Sequence, residues 1–258
     1  NSKIVKCVGS PLCRYNEDAL RMMRAIRFSS QLGFEIENNT YDGIIDLYEN
    51  LNTISKERVK DELCKILISS HAKKGLLNLV RTHLMDYIAP EIYDCVGFEQ
   101  YNKHHDKNVF EHILSVVENV EPKLELRLSA LLHDIGKPKC FSIDKDNIAH
   151  FYGHAKISTD MSREILKNLK FDNKTINKVG KIIYNHMIPT DLNTKSIKKL
   201  INGVGENNVC DLIDLMIADR KGCAKEYQSY DDILELKNKI TKIINEKQPL
   251  SVKDVDVN

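Results

Sequence analysis

The stretch RLSALLHDIGKPKCFS, residues 127–142, decides how this 258-residue chain is read. Leu128, Leu131, Leu132 and Ile135 recur at helical spacing and predict a helix turned towards a core. His133 and Asp134 stand side by side in that run, and Gly136-Lys137-Pro138 stops it at once. Neighbouring residues on a helix point about 100° apart, so an adjacent imidazole and carboxylate can share one partner only where the backbone turns away. The Gly136-Lys137-Pro138 stop supplies such an end.

The doublet has company along the chain. NVFEHILSVVENV (108–120) carries His112 beside an apolar face of Val109, Ile113, Val116 and Val117. FYGHAK (151–156) holds His154, IIYNHMIP (182–189) holds His186, and LMIADRKG (215–222) holds Asp219. A single histidine on an apolar face is ordinarily a core imidazole bonded to a backbone carbonyl. The ordered set His112, His133, Asp134, His154, His186 and Asp219 asks for more, because buried charges without a shared partner are costly. Imidazole and carboxylate are the ligand set of a divalent cation, and Mg, Mn, Ni, Co and Fe all suit it.

Around these residues, most windows have helical periodicity, and proline and glycine are sparse. The expected helices run over 17–32, 39–51, 55–70, 72–84, 109–119, 123–135, 155–169, 173–185, 194–201, 207–221 and 231–246, with a loop over 137–153. Pro90 and Gly97 punctuate MDYIAPEIYDCVGF (85–98) and mark a boundary near residues 90–105. LSVKDVDVN (250–258) has strand-like character. The fold class expected is all-α.

Composition narrows the function classes. Hydrophobic residues make up 42% and charged residues 29%, as in ordinary globular proteins. No apolar run approaches the roughly 18 residues of a membrane span, so no membrane partner is expected. The net charge of +1 makes no bulk case for nucleic-acid binding, although Lys195, Lys198 and Lys199 could line a local basic surface. Seven cysteines without CxxC spacing suggest buried thiols in a reducing, cytoplasmic setting.

The H…HD…D order with HDIGKP resembles the HD-domain metal-dependent phosphohydrolases. The resemblance implies that His112, His133, Asp134 and Asp219 hold a divalent ion, with His154 and His186 matching the histidines of members that hold a second. Two ions about 3.5–4 Å apart would clamp the attacking and leaving oxygens of a phosphoester. His133, Asp134 and Lys137 are then the catalytic candidates. Lys137 is read either as a phosphate-neutralising group or as a solvated loop lysine.

RYNEDALRMMRAIRFSSQLGFEI (14–36) points to a second resemblance. Arg21, Arg24 and Arg27 recur every third residue, and Asp18 precedes Arg21 by three. On residues alone this is a helix start with acidic groups in its first turn and surface ion pairs, each contributing about a few tenths of a kcal/mol. EDxxR followed by RAIRF and LGF, however, resembles the nucleotide-recognition helix of bacterial-type CCA-adding tRNA nucleotidyltransferases and their poly(A) polymerase relatives. The resemblance implies that Asp18 and Arg21 pair with the edge of an incoming CTP or ATP base and that Arg24 and Arg27 also bind nucleotide. ISKERVKDELCKIL (54–67) resembles the following motif, and the resemblance implies a structural role for Arg58 and Glu62.

The implied organisation is a helical neck (1–35), a helical body (36–92), an HD-type helical domain (93–225), and a last helix with the start of a truncated tail (226–258). The implied partners are tRNA, CTP or ATP in the full-length parent, and a phosphoester small molecule or RNA 3′ end. Two other readings are a stand-alone HD nucleotide phosphohydrolase and a tRNA-binding module with a silent metal site.

Nucleotide addition in that family needs paired carboxylates after a Gly-Ser-rich turn. KCVGSPL (6–12) has Gly9-Ser10 with no carboxylate pair behind it. The 258-residue chain alone is therefore expected to leave a tRNA lacking its 3′ end unextended. Incorporation of labelled CTP or ATP by the purified chain would overturn that expectation.

Overall fold

A computed structural model of the protein describes residues 3–101 and 106–246; the strand-like stretch 250–258 lies outside them. Strand structure in the described residues is limited to two short pairs. β1 (Ile4–Val5) runs parallel to β2 (Glu35–Ile36), and β3 (Ser142–Ile143) pairs antiparallel with β4 (Ala149–His150). Helices make up most of the rest, as expected. Among the described residues no helix is long and apolar enough to cross a membrane.

The first half holds α1 (Pro11–Glu17), α2 (Leu20–Leu32), α3 (Asn38–Leu47), α4 (Lys56–Leu67) and α5 (Ala72–Arg81). The helix expected over 17–32 starts three residues later, as α2, and a separate short helix, α1, precedes it. Pro11 opens α1 at a position where its missing N–H costs nothing. Asp18 then takes an extended conformation, and its Oδ1 accepts the N–H of Leu20 at 3.1 Å, heading α2. A short polar helix has too little apolar periodicity to betray itself, which is why α1 escaped the sequence reading. Gly33 closes α2 with φ +71°, and a Cβ there would lie 2.7 Å from His71 Nε2. The stretches expected to end at residues 51 and 84 finish as 3-10 turns, Tyr48–Thr53 and Leu84–Tyr87.

The second half holds α6 (Val109–Asn119), α7 (Leu124–Leu132), α8 (His154–Asn168), α9 (Asn173–Asn185), α10 (Thr194–Val204), α11 (Glu206–Gly222) and α12 (Asp231–Asn245). Three of their starts, those of α6, α9 and α10, are written in side chains. Asn108 and Glu111 form a reciprocal capping box on α6, Asp172 caps α9 through Thr175 N–H, and Asn193 caps α10 through Ser196 N–H. The loop expected over 137–153 contains a 3-10 turn (Lys137–Cys140) and the β3–β4 hairpin. All seven cysteines are free thiols, but only Cys95 is buried, while Cys13 and Cys210 are exposed. The expectation of uniformly buried thiols fails there.

Among the described residues, the core runs on across the boundary expected near residues 90–105. Buried apolar side chains from α2 through α12 form one continuous cluster. Arg127 of α7 spans the seam: it is buried, and Nε donates to the Val120 and Glu121 carbonyls at 3.1 and 3.3 Å. Its Nη1 donates to the carbonyl of Leu67, in α4, at 3.2 Å. Replacing Arg127 with Met should strand these acceptors and lower stability by roughly 2–3 kcal/mol. Urea denaturation checks this, and an unshifted midpoint would refute it.

Candidate metal centre

Helix ends deliver the donors. His133 caps the C-terminus of α7, His186 caps that of α9, His154 opens α8, and Asp219 sits in the last turn of α11. His112 projects from the middle of α6. Gly136 lets α7 and α8 come this close: a Cβ there would meet Ser158 N at 2.7 Å and His154 O at 2.9 Å, both backbone atoms. The Gly136 N–H donates instead to Ser158 Oγ at 2.9 Å.

Four of the candidates, His112, His133, His154 and His186, converge on a fifth, Asp134, whose side chain is almost wholly buried, and Asp219 joins through His112 and His133. Its Oδ2 lies 3.3 Å from His133 Nε2 and 3.5 Å from His112 Nε2. Its Oδ1 lies 3.3 Å from His154 Nε2 and 3.9 Å from His186 Nε2. Asp219 Oδ1 is 2.8 Å from His112 Nε2 and 3.8 Å from His133 Nε2. Two donor groups share Asp134: His112, His133 and Asp134 on one side, and Asp134, His154 and His186 on the other.

Three of the histidines are fixed in the same way. Nδ1 of His133 meets the Ala130 carbonyl at 2.8 Å, Nδ1 of His154 meets Phe151 O at 2.8 Å, and Nδ1 of His186 meets Ile183 O at 2.6 Å. A carbonyl only accepts, so each Nδ1 carries a proton and each ring turns its Nε2 inwards. The Nε2 atoms of His154 and His186 then face each other at 3.3 Å, and His133 Nε2 has no hydrogen-bond partner among the described residues. Inward-facing imidazole nitrogens gathered round buried carboxylates are the arrangement a shared cation would join. The donor set therefore fits a divalent metal, and the carbonyl bonds are the outer contacts that orient such ligands.

Charge in the metal-free site follows the same geometry. Burial opposes charge on His133, yet the Asp134 and Asp219 carboxylates overcome it and raise its pKa to about 10. Burial also opposes charge on Asp134, but His133 and Lys137 hold it well below the usual carboxylate range. Asp219 is held low, against burial, by His112 and His133. Burial, reinforced by the His133 charge, takes His186 down to about 4.

Lys137 is no solvated loop lysine. It is buried, with Nζ 2.7 Å from Asp134 Oδ2 and 2.8 Å from Gln100 Oε1. Gln100, itself buried, also donates to Lys107 O at 3.1 Å. A lone glutamine in an irregular segment gives no sequence signal, and the sequence reading missed it. The centre forms the floor of a cleft of about 820 Å³, also lined by Phe151, Met216 and Arg220.

The neck residues are more dispersed. Asp18 lines a separate cleft of about 560 Å³ together with Glu17, Asn50 and Arg58. Arg58 Nη2 lies 3.2 Å from Asp18 Oδ2. Arg21 is turned onto Glu17 at 2.6 Å and the Arg14 carbonyl at 3.0 Å. Arg24 is exposed, and Arg27 pairs with buried Glu62 of α4 at 2.9 Å.

Comparison with known proteins gives matches in both halves. A family model described as the probable RNA and SrmB-binding site of polymerase A matches residues 33–95, and the HD domain model matches residues 104–221. The A-adding tRNA nucleotidyltransferase of Deinococcus radiodurans is 31% identical over 215 residues, covering 79% of this chain and 49% of that relative. The CC-adding tRNA nucleotidyltransferase of Thermus thermophilus is 32% identical with the same coverage. The chain thus spans about half the length of the curated relatives it matches. The solved CTP complex of the Bacillus stearothermophilus CCA-adding enzyme covers 94% of this chain and 51% of its own, with a TM-score of 0.62 and 21% identity, a likeness of fold.

The raised His133 pKa has a measurable consequence. Without metal the ring is an imidazolium near neutral pH, so Mn²⁺ uptake should expel about one proton per chain, and affinity should rise with pH. Calorimetry in buffers of different ionisation enthalpy reads that proton; uptake with none released would refute the assignment. With no metal present, the same shift contributes stability that is complete below pH 6.5 and is lost as pH rises through about 10.

Proposed function

We propose that this chain, which belongs to the tRNA nucleotidyltransferase and poly(A) polymerase family, contributes two sites to tRNA 3′-end processing in the cytoplasm. The neck and body present the incoming nucleotide for CCA or A addition by the whole enzyme. The HD domain hydrolyses phosphoesters such as 2′,3′-cyclic phosphates, on small molecules or RNA 3′ ends.

The observation that carries the hydrolase reading is the convergence of three carbonyl-locked imidazoles on one buried carboxylate. His112, His133, Asp134 and Asp219 would hold one divalent ion, and His154 and His186 with Asp134 a second. Ions bound there supply Lewis acidity towards the phosphoryl oxygens and hydroxide near neutral pH. The chain's own groups set the stage. The i−3 carbonyls keep the proton on each Nδ1, so the ligand atoms stay basic. Lys137, held by Gln100, brings an ammonium to the same floor to neutralise phosphate charge.

In the neck, the carboxylate of Asp18 is fixed by Leu20 N–H and Arg58, so it can accept from an exocyclic amine. Arg21 would leave Glu17 to donate to ring and carbonyl acceptors. Arg24 is open to a phosphate. The Arg27–Glu62 pair supports a bracing role between α2 and α4, from which Arg27 adds positive charge near the nucleotide.

The test compares wild type with His133→Ala/Asp134→Ala. Metal content and turnover of 2′,3′-cyclic AMP should both be present in wild type and both fall at least about 100-fold in the double variant, as expected when metal-ion catalysis is removed. No metal and no turnover in wild type after supply of Mn, Ni, Co or Mg would refute the hydrolase reading.

A further inference from the structure

The wall of the cleft above the histidine–aspartate cluster carries an aromatic pair outside the candidate metal ligands. Tyr152 is 78% exposed, and its ring stacks on His150 with centroids 5.1 Å apart and planes 6° from parallel. Ile148 and Met187, at 46% and 58% exposure, line the same cleft. Exposed apolar groups clustered at the mouth of a polar site ask for a flat apolar ligand.

The pair is built rather than loose. His150 Nε2 donates to Asp144 Oδ2 at 2.7 Å, fixing the imidazole. Asp144 Oδ1 accepts the N–H groups of Asp146 and Ile148, both at 2.9 Å, which closes the β3–β4 turn. Ala149 N–H donates to Tyr101 O at 3.1 Å, tying β4 to the segment that carries Gln100. His150 thus backs one face of Tyr152 and leaves the other to solvent. His154, one of the metal-facing histidines, follows Tyr152 by two residues, so the platform and the reactive floor belong to one stretch of chain.

We infer that Tyr152, backed by His150, is the stacking platform for the nucleobase of the substrate whose phosphoester lies on the metal centre. The inference rests on the hydrolase reading for the phosphate and adds the base. Every nucleobase has a π-face, so the platform selects nucleotides over base-free phosphoesters without demanding one sequence. The cleft, about 820 Å³, has room for a base, a ribose and a phosphate together. Because the pair is already fixed in place, little ordering opposes binding.

Calorimetry on Mn²⁺-loaded protein tests this with adenosine 3′-monophosphate against ribose 3-phosphate. Wild type should bind the adenosine compound roughly tenfold more tightly, the scale expected of one aromatic–base stack. Tyr152→Ala should lose that preference, and Tyr152→Phe should keep it. Equal affinity for the two ligands in wild type, or a preference that survives Tyr152→Ala, overturns the assignment. Hydrolysis of 2′,3′-cyclic AMP is scored separately. A wild-type protein with base preference but no turnover upholds the platform and refutes the hydrolase, and turnover without base preference does the reverse.

Discussion

Asp134 keeps a negative charge out of water, and the surrounding structure is arranged to make that tolerable. A carboxylate buried alone would take up a proton or unfold its surroundings. Here His133, His112, His154 and His186 approach its two oxygens from four different helices, and Lys137 adds a full positive charge at 2.7 Å. Remove the carboxylate and the imidazoles lose their common partner. Gln100 would then hold an ammonium with nothing to answer it, and the close approach of α8 at Gly136 would serve no purpose.

Helix termini solve the positioning problem. Carbonyls in the last turn of a helix lack intrahelical partners and must find donors elsewhere. His133 and His186 answer this at the ends of α7 and α9 by donating Nδ1–H to the residue three before. The same hydrogen bond that completes the helix end also chooses the tautomer and aims the opposite nitrogen. Local backbone need and site geometry are met together, which explains how a nearly all-helical protein gathers so many polar groups at one buried point. Asp18 works similarly in the neck, heading α2 while presenting its other oxygen to Arg58.

Much of this was legible in the sequence, for identifiable reasons. α6 and α9 begin and end where periodicity puts them, at Val109–Asn119 and Asn173–Asn185, because strong side-chain caps and continuous apolar faces mark both. The candidate ligands were readable because His and Asp in apolar helical settings conflict with burial, and such conflict can be seen without coordinates. The break at Asp18 was hidden: its carboxylate replaces a helical bond locally, a choice that periodicity does not record. Gln100 was invisible because its meaning comes from Lys137, 37 residues on. The β3–β4 hairpin was equally hidden, because its turn is closed by one aspartate side chain rather than by glycine or proline. Cys13 and Cys210 misled a composition argument that treats every thiol as a small core residue.

The arginine that joins α7 to the Leu67 carbonyl bears on how such proteins diversify. Sequence models divide the chain between residues 95 and 104, as though two modules had been strung together. Arg127 crosses that line, as do Lys60 reaching the Lys170 carbonyl and Lys73 paired with Glu118. A recombination event that cut at the apparent joint would separate a guanidinium from its acceptor and lay bare the matching faces of α4 and α7. Exchange between lineages should therefore move both halves together.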